Sequence, residues 1–200
     1  MQTCKPISTI SYNSEEFLKS VLDNLVRTHV LDFYMYIVHI GEIDLFGEKE
    51  KDHIHLFLIP NHRLNTADLD EFFIEPVPNN KPLKCISWNV SKSDDWLLYV
   101  LHDQKYLATK FETRQYEYTY GEIKTSDLED LRRRYRQAYQ SSGYAKMQNL
   151  YQYARSGGSL NKLLEIGAIP VNQVQCYDDF FKISRKIDIT NKEWNKETGR

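Results

Sequence analysis

The chain has 200 residues, 41% hydrophobic and 27% charged, enough to bury a substantial core as one enlarged domain or one domain with an appendage. Its apolar runs are only a few residues long, such as Leu56-Phe57-Leu58-Ile59, and Met1-Gln2-Thr3-Cys4-Lys5-Pro6 lacks the features of a secretory leader, so a membrane-spanning helix is excluded and a cytoplasmic protein expected. The net charge of −2 argues against a nucleic-acid binder when taken whole, but residues 1–104 carry 9 Lys and Arg against 16 Asp and Glu (net −7) and residues 105–200 carry 17 against 12 (net +5).

Three distant cysteines, Cys4, Cys85 and Cys176, form no Cys-x-x-Cys pair and read as reduced thiols. After an extended opening, apolar positions 17, 18, 21, 22, 25 and 26 predict an amphipathic helix capped by Ser14 or Asn13. Phe33 to Ile40 is aromatic and β-branched, and predicts a strand buried on both faces that stops at Gly41. A charged turn over Gly47 to Asp52 leads into a second strand from His53 to Ile59, ended by Pro60-Asn61; the two strands are expected to pair antiparallel. Thr66 to Phe73 predicts a short helix capped by Thr66, Pro76 to Pro82 a loop, and Lys84 to Val90 another strand. Ser93-Asp94-Asp95 is expected to cap a helix running through His102.

The alternation of Tyr116, Tyr118 and Tyr120 suggests an edge strand or extended segment. Helices follow over Asp127 to Gln140, Tyr144 to Arg155 and Leu160 to Ile166, punctuated by Ser141-Ser142-Gly143, by Ser156 to Ser159 and by Gly167; Asn191 to Arg200 is expected to fray. This change of pattern places a domain boundary near residue 125, with a helical region over 126–200.

The chemistry concentrates at His53-Ile54-His55. Period-two alternation turns both imidazoles to one face of the strand, the spacing that lets each ligate one ion through one ring nitrogen. On the preceding strand His39 is followed by Gly41, which permits a bulge, and by Glu42, so Glu42 or His39 completes a donor set suited to manganese or magnesium, and also to zinc; Asp44 is held in reserve. Tyr99 and His102, i and i+3, are expected to share a helix face with Lys105 or Tyr106 a turn on.

The strand Asp52-His53-Ile54-His55-Leu56-Phe57-Leu58, about forty residues ahead of Trp96-Leu97-Leu98-Tyr99-Val100-Leu101-His102, resembles the HUH endonucleases, and among them the small rolling-circle replication initiators of bacterial plasmids or phages. The resemblance spans roughly residues 30–110. It implies an α+β fold with a five-stranded antiparallel sheet flanked by helices over residues 1–125. It also implies a Mn²⁺ or Mg²⁺ ion held by His53, His55, His39 and Glu42, and Tyr99 as nucleophile with His102 beside it. Where that family carries a His-Asp-x-Asp-like cluster, this chain has His39-Ile40-Gly41-Glu42-Ile43-Asp44, which leaves the acidic ligand open. Tyr106, followed by Lys110, is the alternative nucleophile.

The implied activity is nicking and joining of single-stranded or hairpin origin DNA through a 5′-phosphotyrosine link. Lys105, Lys110, Arg114 and the run Arg132, Arg133, Arg134 and Arg136 offer phosphate contacts, while Tyr116, Tyr118, Tyr120, Trp88 and Trp96 offer stacking surfaces. The helices after residue 126 are expected to serve homo-oligomer assembly, a host replication partner or duplex DNA. No membrane partner is expected. Two readings compete: a zinc hydrolase of a small molecule, using His53, His55 and His39 with water as nucleophile, and a non-catalytic nucleic-acid-binding module.

Overall fold

Residues 2–43, 49–110, 112, 114, 116–166 and 173–186 are described by a computed structural model of the chain. Strand β1 (Gln2–Thr3) precedes β2 (Ile7–Ser11), and helix α1 (Glu15–Arg27) follows, with Ser14 as its cap accepting from the Phe17 N–H. Then come β3 (Leu31–His39), β4 (His53–Pro60), β5 (Leu64–Asn65), α2 (Thr66–Phe72), β6 (Asn89–Val90), α3 (Ser93–Val100) and α4 (Gln104–Thr109). A 3₁₀ turn at Tyr120–Glu122 leads to β7 (Lys124–Thr125) and to α5 (Leu128–Gln140), α6 (Ser142–Arg155), α7 (Leu160–Glu165) and α8 (Val174–Lys186). The expected stop at Gly167 and the polar end 191–200 lie outside the described residues.

The principal sheet is antiparallel with strand order β6-β2-β4-β3-β7, so the α+β architecture with five strands and flanking helices is present. Strands β2 and β3 run in the same direction, joined through α1, and β4 inserts between them as a split β-α-β unit. Because side chains alternate along a strand, the two sheet faces build separate cores. Tyr34, Tyr36, Ile54, Leu56 and Leu58 meet Leu18, Leu22 and Leu25 of α1, and each buried leucine contributes roughly 1.5–3 kcal/mol. Phe33, Met35, Ile37 and Phe57 face Trp96, Leu97 and Leu101, and the same apolar cluster continues into Leu131, Ala138 and Tyr144. A third cluster joins Ala108, Tyr151, Ala154, Phe180 and Phe181. No helix among the described residues is long and apolar enough to cross a membrane.

Several local expectations are corrected. Asn65, not Thr66, caps α2, because its side-chain oxygen reaches the Ala67 N–H. Lys92 is the cap position of α3 and makes no side-chain bond there, so Ser93 is already helical. Only Asn89–Val90 of the 84–90 strand is regular; Cys85 makes an isolated bridge to Ser11. Residues 116–119 belong to no strand, and Tyr118 N–H donates to Leu101 O at 3.0 Å. Ser141 alone separates α5 from α6, which leaves Gly143 inside a helix. Helix α8 was not expected; it packs on α4 and α6.

Candidate metal centre

The register of β3 and β4 builds the site. His39 lies opposite His53 and Ile37 opposite His55, so the three imidazoles share one face at the end of the sheet, where the Phe33–Met35–Ile37 core stops. The His39 ring centre is 5.3 Å from His53 and 4.6 Å from His55, and those two are 4.8 Å apart. Just past β3, Gly41 adopts φ +68°, a conformation that favours glycine, and the turn brings Glu42 Oε1 back to 3.0 Å from His39 Nδ1. A turn beyond the end of β3, rather than a bulge within it, thus aims this carboxylate at the histidines. Asp44, the reserve ligand, lies outside the described residues.

His102 arrives by a route that corrects the shared-helix-face expectation. Helix α3 ends at Val100, and His102 sits beyond it at φ +53°, in the C′ position of a Schellman turn: its N–H donates to Tyr99 O and the Asp103 N–H to Leu98 O, each at 3.0 Å. The backbone turn, not helical periodicity, puts the His102 ring 4.7 Å from that of His39 and its Nε2 3.5 Å from Glu42 Oε1. Lys105 and Tyr106 belong to the separate helix α4.

Three of the histidines have their tautomers fixed by backbone carbonyls, which only accept. His39 Nε2 donates to Val100 O at 2.9 Å, His102 Nδ1 to Tyr116 O at 2.9 Å and His53 Nδ1 to Lys51 O at 2.8 Å. When neutral, each ring thus presents a lone pair from its other nitrogen, the arrangement that orients metal-ligating imidazoles. His39 Nδ1 is buried and makes no well-aligned hydrogen bond among the described residues, although Glu42 Oε1 is close. A nitrogen lone pair and a carboxylate oxygen at that distance repel unless a proton or another cation lies between them. His53 Nε2 faces His55 Nε2 at 3.1 Å, near the roughly 3 Å that separates adjacent ligands around an ion with bonds of about 2.1 Å.

Burial sets the electrostatics. It pushes the His55 imidazolium well below its ordinary range, helped by the neighbouring His39 and His53, and lowers His102 to about 3, so both rings are neutral at physiological pH. Burial works to raise the Glu42 carboxyl, but His39, His102 and the Tyr118 hydroxyl outweigh it and keep the group an anion. Tyr118 donates to Glu42 Oε1 at 2.9 Å and stacks on His39 with centres 4.3 Å apart. Four of the chain's six histidines thus gather with His39 at their centre, and His39 and His102 stand beside the buried Glu42 carboxylate. His39, His53 and His55, and likewise His39, Glu42 and His102, can hold a metal ion.

A cavity of about 320 Å³ opens on this centre, and Tyr99 and Arg114 line it beside the histidines. The Tyr99 ring meets His55 edge-on at 5.9 Å. Burial raises the Tyr99 phenol, Glu112 and Glu50 add to the rise, and Arg114 opposes it. Arg114 Nη1 also lies 3.3 Å from Glu50 Oε1, so an arginine expected only as a phosphate contact stands at the proposed nucleophile.

Tyr106 lines the neighbouring cavity instead; its hydroxyl pairs with Asp95, burial lifts it to about 12, and Lys110 Nζ sits 5.4 Å from its ring centre. Lys105 is 3.8 Å from Asp103. Arg132 pairs with Glu129 and Arg133 with Asp130, while Arg134 also reaches Asp130, at 2.7 Å, and lies over Phe33. Phe33 is six residues from His39 along β3, or about 20 Å at the rise of a strand, so this part of the run is remote from the histidines. Arg136 is exposed on the same helix.

Tyr118, Arg114 in its role at Tyr99, and Glu50 are the residues that sequence reasoning missed. Tyr118 was visible only as one member of an alternating tyrosine series. No protein-family model matches the chain, and no curated protein matches it.

Proposed function

We propose that the chain is a metal-dependent endonuclease and strand transferase of the HUH type, acting on single-stranded DNA as a rolling-circle replication initiator. The observation that carries this reading is Tyr99 on the wall of the same cavity as His39, Glu42, His53, His55 and His102. Residues in these roles also match the resemblance on which the expectation was built. The mixed imidazole and carboxylate donors suit Mn²⁺, with Mg²⁺ as the alternative. The bound ion would supply Lewis acidity toward the scissile phosphate.

Arg114 is placed to do two things: it favours the phenolate of Tyr99 against burial, and it offers a cation to the non-bridging phosphate oxygens. Tyr99 Oη forms a new bond to phosphorus as the P–O3′ bond breaks. The phenol loses its proton to solvent and the 3′ oxygen gains one, giving a 5′-phosphotyrosine and a free 3′-hydroxyl. The ester energy is conserved in the link, so the same group can rejoin strands.

The test is a denaturant-resistant adduct between the protein and labelled single-stranded or hairpin oligonucleotides in Mn²⁺. Wild type is expected to form it, Tyr99→Phe to lose it, and His55→Ala to lose it while retaining DNA binding. An adduct that survives Tyr99→Phe but not Tyr106→Phe moves the nucleophile, and no adduct with any substrate ends the reading. The imidazole-rich donor set gives a second reading, a zinc hydrolase with a water nucleophile, some support. It predicts zinc-dependent turnover that is indifferent to Tyr99→Phe.

A further inference from the structure

A second cavity, of about 340 Å³, adjoins the first; Ile10, His55 and Tyr99 line both. Its volume falls within the range of about 300–1,000 Å³ usual for small-ligand sites. The two differ in chemistry. The histidine cavity is lined by Arg114 and Lys51, cations that suit a phosphate, along with the carboxylates of Glu42 and Glu50, whereas among the described residues the second is lined by the Asp95 carboxylate and by no lysine or arginine. Trp96 and Tyr106, with Tyr99 at the boundary, give it aromatic surface among small polar residues, of which Ser87 and Asn89 stand exposed. Trp96 is only 5% exposed, yet its indole Nε1–H meets no acceptor among the described residues, in contrast to Trp88, whose indole donates to Asp70 Oδ1 at 2.6 Å. Buried donors are normally satisfied, and the exceptions call for an explanation.

A neutral, planar, hydrogen-bonding aromatic ligand fits this lining. We infer that the second cavity is a nucleobase subsite, taking a base next to the scissile phosphate while the phosphate lies in the histidine cavity. This rests on the single-stranded DNA reading above. Tyr99 between the two cavities would then meet the phosphate of a nucleotide whose base is already seated, so base capture would set the cleavage register.

The test follows the tryptophan indole N–H signals by NMR in the full chain. Trp96→Phe assigns the Trp96 signal, and the paired Trp88 indole is the internal control. The four homo-oligodeoxynucleotides and an abasic oligomer of equal length are titrated in, with binding measured in parallel by fluorescence anisotropy. At least one base-bearing oligomer is expected to shift the Trp96 signal and the abasic one to leave it in place. Asn89→Ala, at an exposed position, should weaken the preferred oligomer about tenfold without changing the abasic one, in line with the cost of losing one hydrogen bond to a base. If oligomers bind and none moves the signal, or base-bearing and abasic oligomers move it equally, the subsite is wrong and the nuclease reading stands. If no oligomer binds and no adduct forms, both fall.

Discussion

His102 holds φ +53°, where a side chain crowds the following carbonyl and glycine is the usual occupant of a helix-ending turn. The strain persists because the ring is anchored through its Nδ1–H on Tyr116 O and packed edge-on against His39 and Tyr118. Both His102→Gly and His102→Ala remove the ring, but only alanine retains the backbone penalty. The Gly variant should therefore be more stable than the Ala variant by about 1 kcal/mol in chemical denaturation, and both should bind Mn²⁺ more weakly than wild type. Equal stabilities would mean that the turn relaxes without the ring. Tyr118 supplies a cleaner probe, because Tyr118→Phe keeps the stack on His39 and deletes only the hydroxyl that orients Glu42. Calorimetric titration should show Mn²⁺ affinity reduced about tenfold with thermal stability little changed. Unaltered affinity would remove Glu42 from the ion's surroundings.

At the scale of elements, what the sequence made legible was what the local backbone determines. His53 and His55 share a face because strand side chains alternate, and α1 shows its apolar stripe through residues 18, 22 and 25. The pairing of His39 with His53 depends on register, set by long-range packing, and the approach of His102 depends on a left-handed turn at a residue that does not advertise one. Tyr118 reaches Glu42 along an irregular segment whose backbone bonds Leu101 O and the His102 ring, which no periodicity encodes. Helix α8 mixes Cys, Tyr and Asp, weak helix formers, and is sustained by packing on α4 and α6. The sheet separates its two faces physically, so their contributions should separate by mutation. Leu56, fully buried on the α1 side of β4, should cost about 2–5 kcal/mol when changed to Ala, read from denaturant unfolding, while Mn²⁺ affinity per folded molecule is unchanged. A loss of affinity comparable to that of a ligand variant would show that the two faces are coupled.

Over the whole molecule, the 14 tyrosines outnumber every other aromatic residue, and many are buried with the hydroxyl near a carboxylate. Burial first, and then Asp23 and Glu15 respectively, push the Tyr34 and Tyr36 phenols above their ordinary value of 10.0; burial with Asp103 does the same for Tyr139 and Tyr144. Burial lifts the Cys85 thiol from 9.0 to about 12. Each folded-state value lies above the unfolded one, so between the two the folded chain retains a proton that the unfolded chain has released. The sign follows: stability from these groups is fully present below their unfolded values and is lost as pH rises, from 9.0 for the thiol and from 10.0 for the phenols. Urea midpoints should therefore fall steadily above about pH 9, with the denaturant slope little changed at first. Phenolate absorbance should lag behind that of free tyrosine and then rise together with the loss of circular dichroism, because the buried hydroxyls ionise only when the cores open. A full phenolate signal near pH 10 from a chain that is still folded would show that the tyrosine-lined cores on both sides of the sheet admit solvent.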